Sequence, residues 1–304
     1  MDYYVQGREF HPKYRMALWY NPQELFDRHS APQDRFCLVW VENGTGIIRV
    51  AQGCIAFSAP SVFCFNERDP FQLEGAVGLT AHSLYFHPSL VNSTFDFENL
   101  RNGSNTFNQS DYDDTYLLGP FIKRSSEYAG FIHIGPAAVQ RISALIRQIH
   151  GETQEQRDFF WPCRCRSFLL ELLFLIRRSY DTAESSSMPF LRPSGGEMEK
   201  VILYLHANYQ NKISLSGITK EFKINRTSLS EKFRETTGQS ITGYLAQLRI
   251  HMACMMLRDT LLPVSEVLYR AGFTDRAHFN RTFGKLTGFT PNEYRKKYSP
   301  LAAG

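Results

Sequence analysis

Up to about residue 120, the apolar positions come in short runs rich in Phe, Val, Ile and Leu, broken by turn residues. Residues 36–41 form one such run, and Asn43-Gly44 with Gly46 follow as a hairpin signal. Residues 47–50 then read as the returning strand. Gly53, Pro60 and Pro70 punctuate the next runs. Strands at this spacing, with no helical pattern between them, predict a small β-barrel or sandwich. Residues 92–114 are polar and are expected to form a loop.

From Pro136 the period changes. Val139, Ile142, Leu145, Ile146 and Ile149 fall on one face of a helix. After Trp161-Pro162 a second helix is predicted to about Tyr180. Its stretch 168–176 is apolar on nearly every side, so it must be covered on every side. The barrel could cover one side and a second copy of the chain another. A homodimer is therefore expected, with burial inside one chain as the competing reading. Residues 181–196, DTAESSSMPFLRPSGG, have the composition of a linker. The pattern thus predicts an α+β chain of two domains: residues 1–182, a linker at 183–196, and an all-helical domain at 197–299.

The helical half contains one arrangement twice. Met198, Val201, Ile202, Leu205 and Tyr209 form the inner stripe of an opening helix. Ser214 then suits an N-cap, with Leu215, Ile218 and Phe222 on a short helix. A turn at residues 223–225 leads to a helix with Leu229 and Phe233 inward. The pattern recurs with Val264, Val267, Leu268 and Ala271, a turn at Gly272-Phe273-Thr274, and a helix with Phe279, Phe283 and Leu286 inward. These are two helix-turn-helix units, with Asn225 and Thr274 as caps of their second helices. A helix over residues 240–258 joins them, with Ile241, Tyr244, Leu245, Leu248, Met252 and Met255 on its apolar face. Its length of about 28 Å approaches one turn of DNA, about 34 Å. It could therefore seat two helices in successive major grooves.

Charge sharpens this picture. The chain of 304 residues carries a net +4, yet from residue 197 to 299 there are 16 Lys and Arg against 9 Asp and Glu, a net of +7. The basic half is thus suited to a polyanion. Arg276, Ala277, Asn280 and Arg281 point away from the core of the second unit, and Arg226, Thr227, Ser230 and Glu231 from that of the first. Arg matches guanine, Asn matches adenine, and Ala can meet the thymine methyl. Ser214, Lys232, Arg234, Thr274, Lys285, Arg295 and Lys296 suit phosphates.

Residues 197–298 resemble the DNA-binding domain of the AraC family of bacterial transcription regulators. The resemblance rests on Gly272-Phe273, Phe279, Arg281, Phe283, Gly288, Thr290-Pro291 and Tyr294-Arg295, with Leu229, Phe233, Gly238, Tyr244, Leu245 and Arg249 in the first unit and joining helix. Residues 39–50, VWVENGTGIIRV, and 84–92, LYFHPSLVN, resemble the family's usual cupin-like partner barrel. The resemblance implies double-stranded DNA as partner, a small-molecule effector in the barrel, dimerisation through helices near 137–180, and RNA polymerase as a further candidate partner. Three positions depart from the family pattern. Glu231 stands where a basic residue is usual and would repel phosphate. Lys223 stands where a small residue or Gly is usual and would strain its turn. Gly284 replaces a usual Lys.

For the effector, Phe36, Leu38 and Trp40 alternate on one strand and are candidates for the barrel interior, Trp40 for stacking on a sugar ring or else for a core role, with His29, Arg35 and His82 as polar candidates. A regulator controlled by a protein partner is an alternative. A metal-dependent cupin-type enzyme is a second, but His29, His82 and His87 lie far apart, with no HxH pair and no nucleophile motif. The six cysteines, at 37, 54, 64, 163, 165 and 254, form no CxxC and no zinc spacing. Neither metal nor cofactor is expected. Residues 1–8 hold no apolar signal core, and 168–176 is too short to span a bilayer, so a cytoplasmic location without a membrane contact is expected.

Overall fold

A computed structural model describes residues 3–27, 34–103, 107–183, 190–192 and 196–299. A small hairpin of β1 (Val5–Gln6) and β2 (Arg15–Met16) precedes the main sheet. That sheet contains β3 (Leu18–Asn21), β4 (Phe36–Val50), β5 (Gly53–Ser58), β6 (Ser61–Phe65), β7 (Phe71–Phe86) and β8 (Phe131–His133). Its order is β3-β7-β4-β6-β8, with β5 also paired to β4, and all pairings are antiparallel.

β4 is one strand of 15 residues where a hairpin was expected. It pairs with β7 from Phe36↔Phe86 to Val50↔Phe71, with register shifts around Asn43 and between Ile47 and Ile48. Its other edge takes β6 up to Val41 and β5 from Thr45 onward. The Asn43-Gly44 pair is thus a bulge region that bends a long strand between two partners, not a turn. Gly44 has φ +88°, and a Cβ there would collide with the backbone of Gly78 on β7. The chain reverses instead between Val50 and Gly53.

Two further helices, α1 (Phe97–Asn102) and α2 (Gln109–Ile122), occupy much of the region expected as loop. Each opens on a reciprocal capping box, Asp96 with Asn99 and Asn108 with Asp111. These polar residues satisfy the free N–H groups of a helix start and are its sequence signature.

Helices α3 (Pro136–Glu155) and α4 (Trp161–Ala183) form a hairpin against the sheet. Ile142, Leu145 and Ile149 join Leu169, Leu172, Leu173 and Ile176 in one core with the sheet residues Phe36, Leu38 and Trp40. Most of the apolar surface of α4 is therefore covered within the chain. Phe174 stays 61% exposed, with Phe168, Leu170 and Leu175 half-buried.

The second domain runs α5 (Glu197–Asn208), α6 (Leu215–Phe222), α7 (Arg226–Thr237), α8 (Ile241–Asp259), α9 (Val264–Arg270), α10 (Arg276–Thr287) and α11 (Pro291–Tyr298). It is not loosely tethered. Ile47, Cys54 and Ala56 of the sheet share a buried cluster with Leu191, Met198, Val201, Ile202 and Leu203. Leu191, inside the expected linker, exchanges two backbone hydrogen bonds with Cys54, and Arg192 N–H donates to Thr236.

The same interface buries three histidines. His133 of β8 and His251 of α8 are in ring contact, tilted by 52° with centroids 4.4 Å apart. His206 of α5 bonds through Nδ1 to Ser58 Oγ and through Nε2 to Tyr244 Oη, each at 2.9 Å. Burial first, and then the nearby His251, His206 and Arg258, hold His133 well below its ordinary value. Burial lowers His206 from 6.5 to about 3. Both are neutral when folded and take up protons on unfolding, so their contribution is complete above the unfolded value and declines as pH falls below 6.5, for His206 down to about 3. Acidification below pH 6 should lower the unfolding free energy by up to about 1.4 kcal/mol per pH unit for each histidine. Denaturant titration across that range reads the slope, and His206→Gln should reduce it.

Candidate nucleic-acid interface

The site begins with two turns. In the first unit Ser214 caps α6 by accepting from Gly217 N–H, and Asn225 caps α7 by accepting from Ser228 N–H. Between the helices Lys223 has φ +55° and ψ +35°, the left-handed conformation that glycine adopts at lower cost. The expected strain at this turn is present. In the second unit Gly272 makes the corresponding excursion at φ +86°. A Cβ there would meet Tyr209 O, Arg249 Nε and Gln210 Cα. Only glycine lets this turn approach the loop of the first unit.

The cap of α10 is Asp275, whose carboxylate accepts from His278 N–H, and not Thr274, which lies one residue before it. Both residues are competent caps, so the choice rests on where the helical backbone begins. Leu286 is also corrected, because it is 45% exposed while Phe279 and Phe283 are fully buried. Gly284 faces open space: a Cβ at this position would meet only Phe289 O, at 3.9 Å.

Arg276, Ala277, Asn280 and Arg281 are all exposed on α10, as are Arg226, Thr227, Ser230 and Glu231 on α7. Among the described residues, the side chains of Arg226, Arg276, Asn280 and Arg281 make no hydrogen bond or ion pair, although α10 starts beside the Asp275 cap. Ser230 Oγ donates to Arg226 O at 2.8 Å, which leaves its lone pairs outward. Glu231 forms no ion pair with Arg234, so it does not orient that residue.

The residues expected on phosphates divide. Lys285, Arg234, Ser214 and Thr274 are exposed. Lys232 Nζ meets Glu197 at 2.9 Å, with both side chains about half-exposed. Such a pair contributes about 1 kcal/mol or less and yields readily to a phosphate. Arg295 does not fit the expectation. Its guanidinium donates to the carbonyls of Leu257 and Leu262, tying α11 to the end of α8. Lys296 lines a cleft against the first domain.

What joins the units is α8, and its burial exceeds the single expected stripe. Beyond Ile241, Tyr244, Leu245, Leu248, Met252 and Met255, it buries Ile250, Ala253, Cys254 and Leu257 against the second unit. Arg249, which stands out in the sequence only as part of a motif, has a structural task here. Its Nε donates to Tyr209 O at 2.7 Å and its Nη2 to Asn211 O at 2.8 Å, while its guanidinium lies 5.8 Å from the Phe273 ring. One side chain thus joins the loop of the first unit to the turn of the second.

The effector candidates are redistributed. Phe36, Leu38 and Trp40 face the helices α2–α4, whereas Cys37, Val39 and Val41 face the inside of the rolled sheet among Phe57, Phe63, Phe65 and Phe71. The alternation holds and Trp40 takes the core role that was its other reading; the three residues face the helices and not the inside because both faces of β4 are apolar. His82 is half-buried between Tyr20 Oη, at 3.1 Å, and Glu42, at 3.3 Å. His29 lies outside the described residues. Arg35 is 1% exposed, pairs with Asp34 through Nη1 at 2.5 Å, and lies 4.6 Å over the Tyr4 ring. Its Nε and Nη2 have no partner among the described residues. Inside the sheet, Glu24 accepts from Ser83, Tyr85, Asn21 and Phe26 N–H, so this carboxylate was a buried polar centre that no motif announced. Among the described residues no three His, Cys, Asp or Glu converge as a metal site, and no helix is long and apolar enough to cross a membrane.

The fold and this interface define a DNA-binding regulator with a separate ligand-binding domain. A family described as AraC-like ligand binding domain matches residues 11–173, and a helix-turn-helix domain family matches residues 218–297. The chain belongs to the AraC family of transcription regulators and is not an enzyme. It is 24% identical over 281 residues to the HTH-type transcriptional activator RhaR of Cronobacter sakazakii, covering 92% of this chain and 90% of that one. RhaR of Yersinia pseudotuberculosis is 22% identical over 278 residues, covering 91% and 87%. Among solved structures, the DNA-binding domain of AdpA in complex with a target DNA is 22% identical, covers 34% of this chain and 94% of that one, and has a TM-score of 0.33.

Arg249→Ala removes two charged hydrogen bonds and should destabilise the chain by about 3 kcal/mol. It should also weaken binding to DNA that carries both half-sites more than to DNA that carries one. Denaturant titration and gel-shift titration measure the two effects.

Proposed function

We propose that this protein is a sequence-specific transcription activator that reads DNA with α7 and α10 and answers to a small molecule held in its first domain. The observation that carries the reading is the pair of recognition helices on one buried spacer, each presenting unpaired polar side chains. Arg276, Asn280 and Arg281 supply most of the base discrimination, with Ala277 against a methyl group. Arg226, Thr227, Ser230 and Glu231 read the second groove more weakly. Glu231 can accept from cytosine but repels the backbone, and the left-handed Lys223 weakens the turn beneath it. Ser214, Lys232, Arg234, Thr274 and Lys285 position the duplex. The relatives named as activators support activation over repression.

In the first domain, Arg35 is the anchor we favour for a polar effector such as a sugar, since it is buried with two open donors. The remaining exposed apolar ridge of α4, centred on Phe174, supports a homodimer. The chain's place is then the cytoplasm.

Arg276→Ala or Asn280→Ala should each cost about 1–3 kcal/mol on the cognate site and relax preference at one base. Arg226→Ala should cost less. Binding should fall steeply with salt. Gel-shift titration on a randomised operator set reads all of this; unchanged base preference in both α10 variants would remove the assignment. The sensor reading is tested on the full chain. A sugar that raises the melting temperature of the parent should fail on Arg35→Gln, and Phe174→Glu should sediment as a monomer where the parent is a dimer.

A further inference from the structure

Between the two domains lies a cleft of about 540 Å³. That volume is within the range of small-molecule sites. One wall comes from α3 and α4 of the first domain, with Ala138, Leu175 and Arg178. The other comes from the end of α8 and from α11 of the second, with Arg258, Lys296 and Ser299.

The charges around this space do not cancel. Arg258 is held by Asp259 through two hydrogen bonds of 2.7 and 2.8 Å, and Asp259 is the one acid of the lining. Arg141, at the rim, is held by Glu171. Lys297 lies 4.4 Å over the Phe289 ring and 5.1 Å from the Tyr298 ring. Arg178 and Lys296, one from each domain, are exposed and have no acidic partner among the described residues, and the ring contacts of Lys297 leave its charge in place as well. Ser299 is 4% exposed, and its Oγ has no hydrogen-bond partner among the described residues. A buried hydroxyl without a partner is costly, and uncompensated cations lining one cleft raise its affinity for an anion. Ala138 and Leu175 add an apolar wall.

We propose that this cleft is a second ligand site, distinct from the interior of the sheet, that takes a small organic anion. A carboxylate or phosphate end meets Arg178, Lys296 and the Ser299 hydroxyl, and a short apolar body lies on Ala138 and Leu175. Because the walls belong to different domains, the bound anion joins α11 to the α3–α4 hairpin. It thereby holds the second DNA-reading unit in its docked position. This assigns Lys296 to a ligand bridge in place of the DNA phosphate suggested by its charge.

The test uses the full chain without DNA, so its outcome is independent of the reading of α7 and α10. The probes are phenylacetate, phenyl phosphate, the neutral phenylacetamide and inorganic phosphate, followed by calorimetry and thermal shift. At least one phenyl anion should bind and raise the melting temperature with concentration, at least tenfold more tightly than phenylacetamide and inorganic phosphate. Hydrogen exchange should slow in residues 136–141 and 296–299. The double variant R178Q/K296Q should keep the circular dichroism of the parent and lose at least tenfold in affinity. R178Q alone, with its change confined to the first domain, should show a smaller loss and serves if the double variant is unstable. The proposal is overturned if neither phenyl anion binds at millimolar concentration. It is also overturned if the neutral amide or inorganic phosphate binds as well, if the variants bind as the parent does, or if protection appears elsewhere.

Discussion

The structure of the second domain depends on the burial of α8. A 19-residue helix that contributed only one apolar stripe could rock against its neighbours. This one is packed by Tyr244, Leu245 and Leu248 towards the first unit and by Ile250, Ala253, Cys254 and Leu257 towards the second. Truncating one such side chain typically costs about 2–5 kcal/mol. A rotation of one unit about the helix would uncover several together, so the two units cannot reorient independently at thermal energies. Arg249 adds direction to this packing. Its planar guanidinium bonds two carbonyls of the same loop, and Gly272 permits the close approach that brings the second turn to it.

The first domain adds a second constraint. The roll of the sheet is apolar on both faces, one towards its own phenylalanine-rich interior and one towards α2–α4. A third apolar patch, around Ile47, Cys54 and Ala56, receives α5. The DNA-reading units are thereby held to the ligand-binding domain through apolar contact and the neutral histidines His133 and His206. A change in the first domain can reach α8 through His133 and His251, which touch across the interface. This is a physical connection between the domains through residues in direct contact.

Most of the helical half was legible because its signals are local. Caps at Ser214 and Asn225, the glycine turn at 272 and the inward Phe279 and Phe283 all lie within one or two turns of the groups they organise. The errors there were also local and small: the cap moved from Thr274 to Asp275, and Leu286 turned outward. The first half was less legible. Asn43-Gly44 carries the composition of a hairpin, yet its neighbours on β6, β5 and β7 make it a bulge within β4. Residues 92–114 looked like loop because capping boxes, which begin helices, are themselves polar.

The sequence by itself determined the class of protein, the two-unit design and, Leu286 apart, which side chains of α7 and α10 point outward, because helical periodicity and capping act over a few residues. The tertiary structure alone decided the rest. It turned Phe36, Leu38 and Trp40 towards the helices, since a strand apolar on both faces has no pattern that marks its inside. It took Arg295 into carbonyl contacts and set Lys296 and Arg178 on the walls of one cleft. It left Phe174 as the exposed remnant of an apolar helix. Each of these outcomes depends on partners more than a hundred residues away or on a different element, and no local spacing records them.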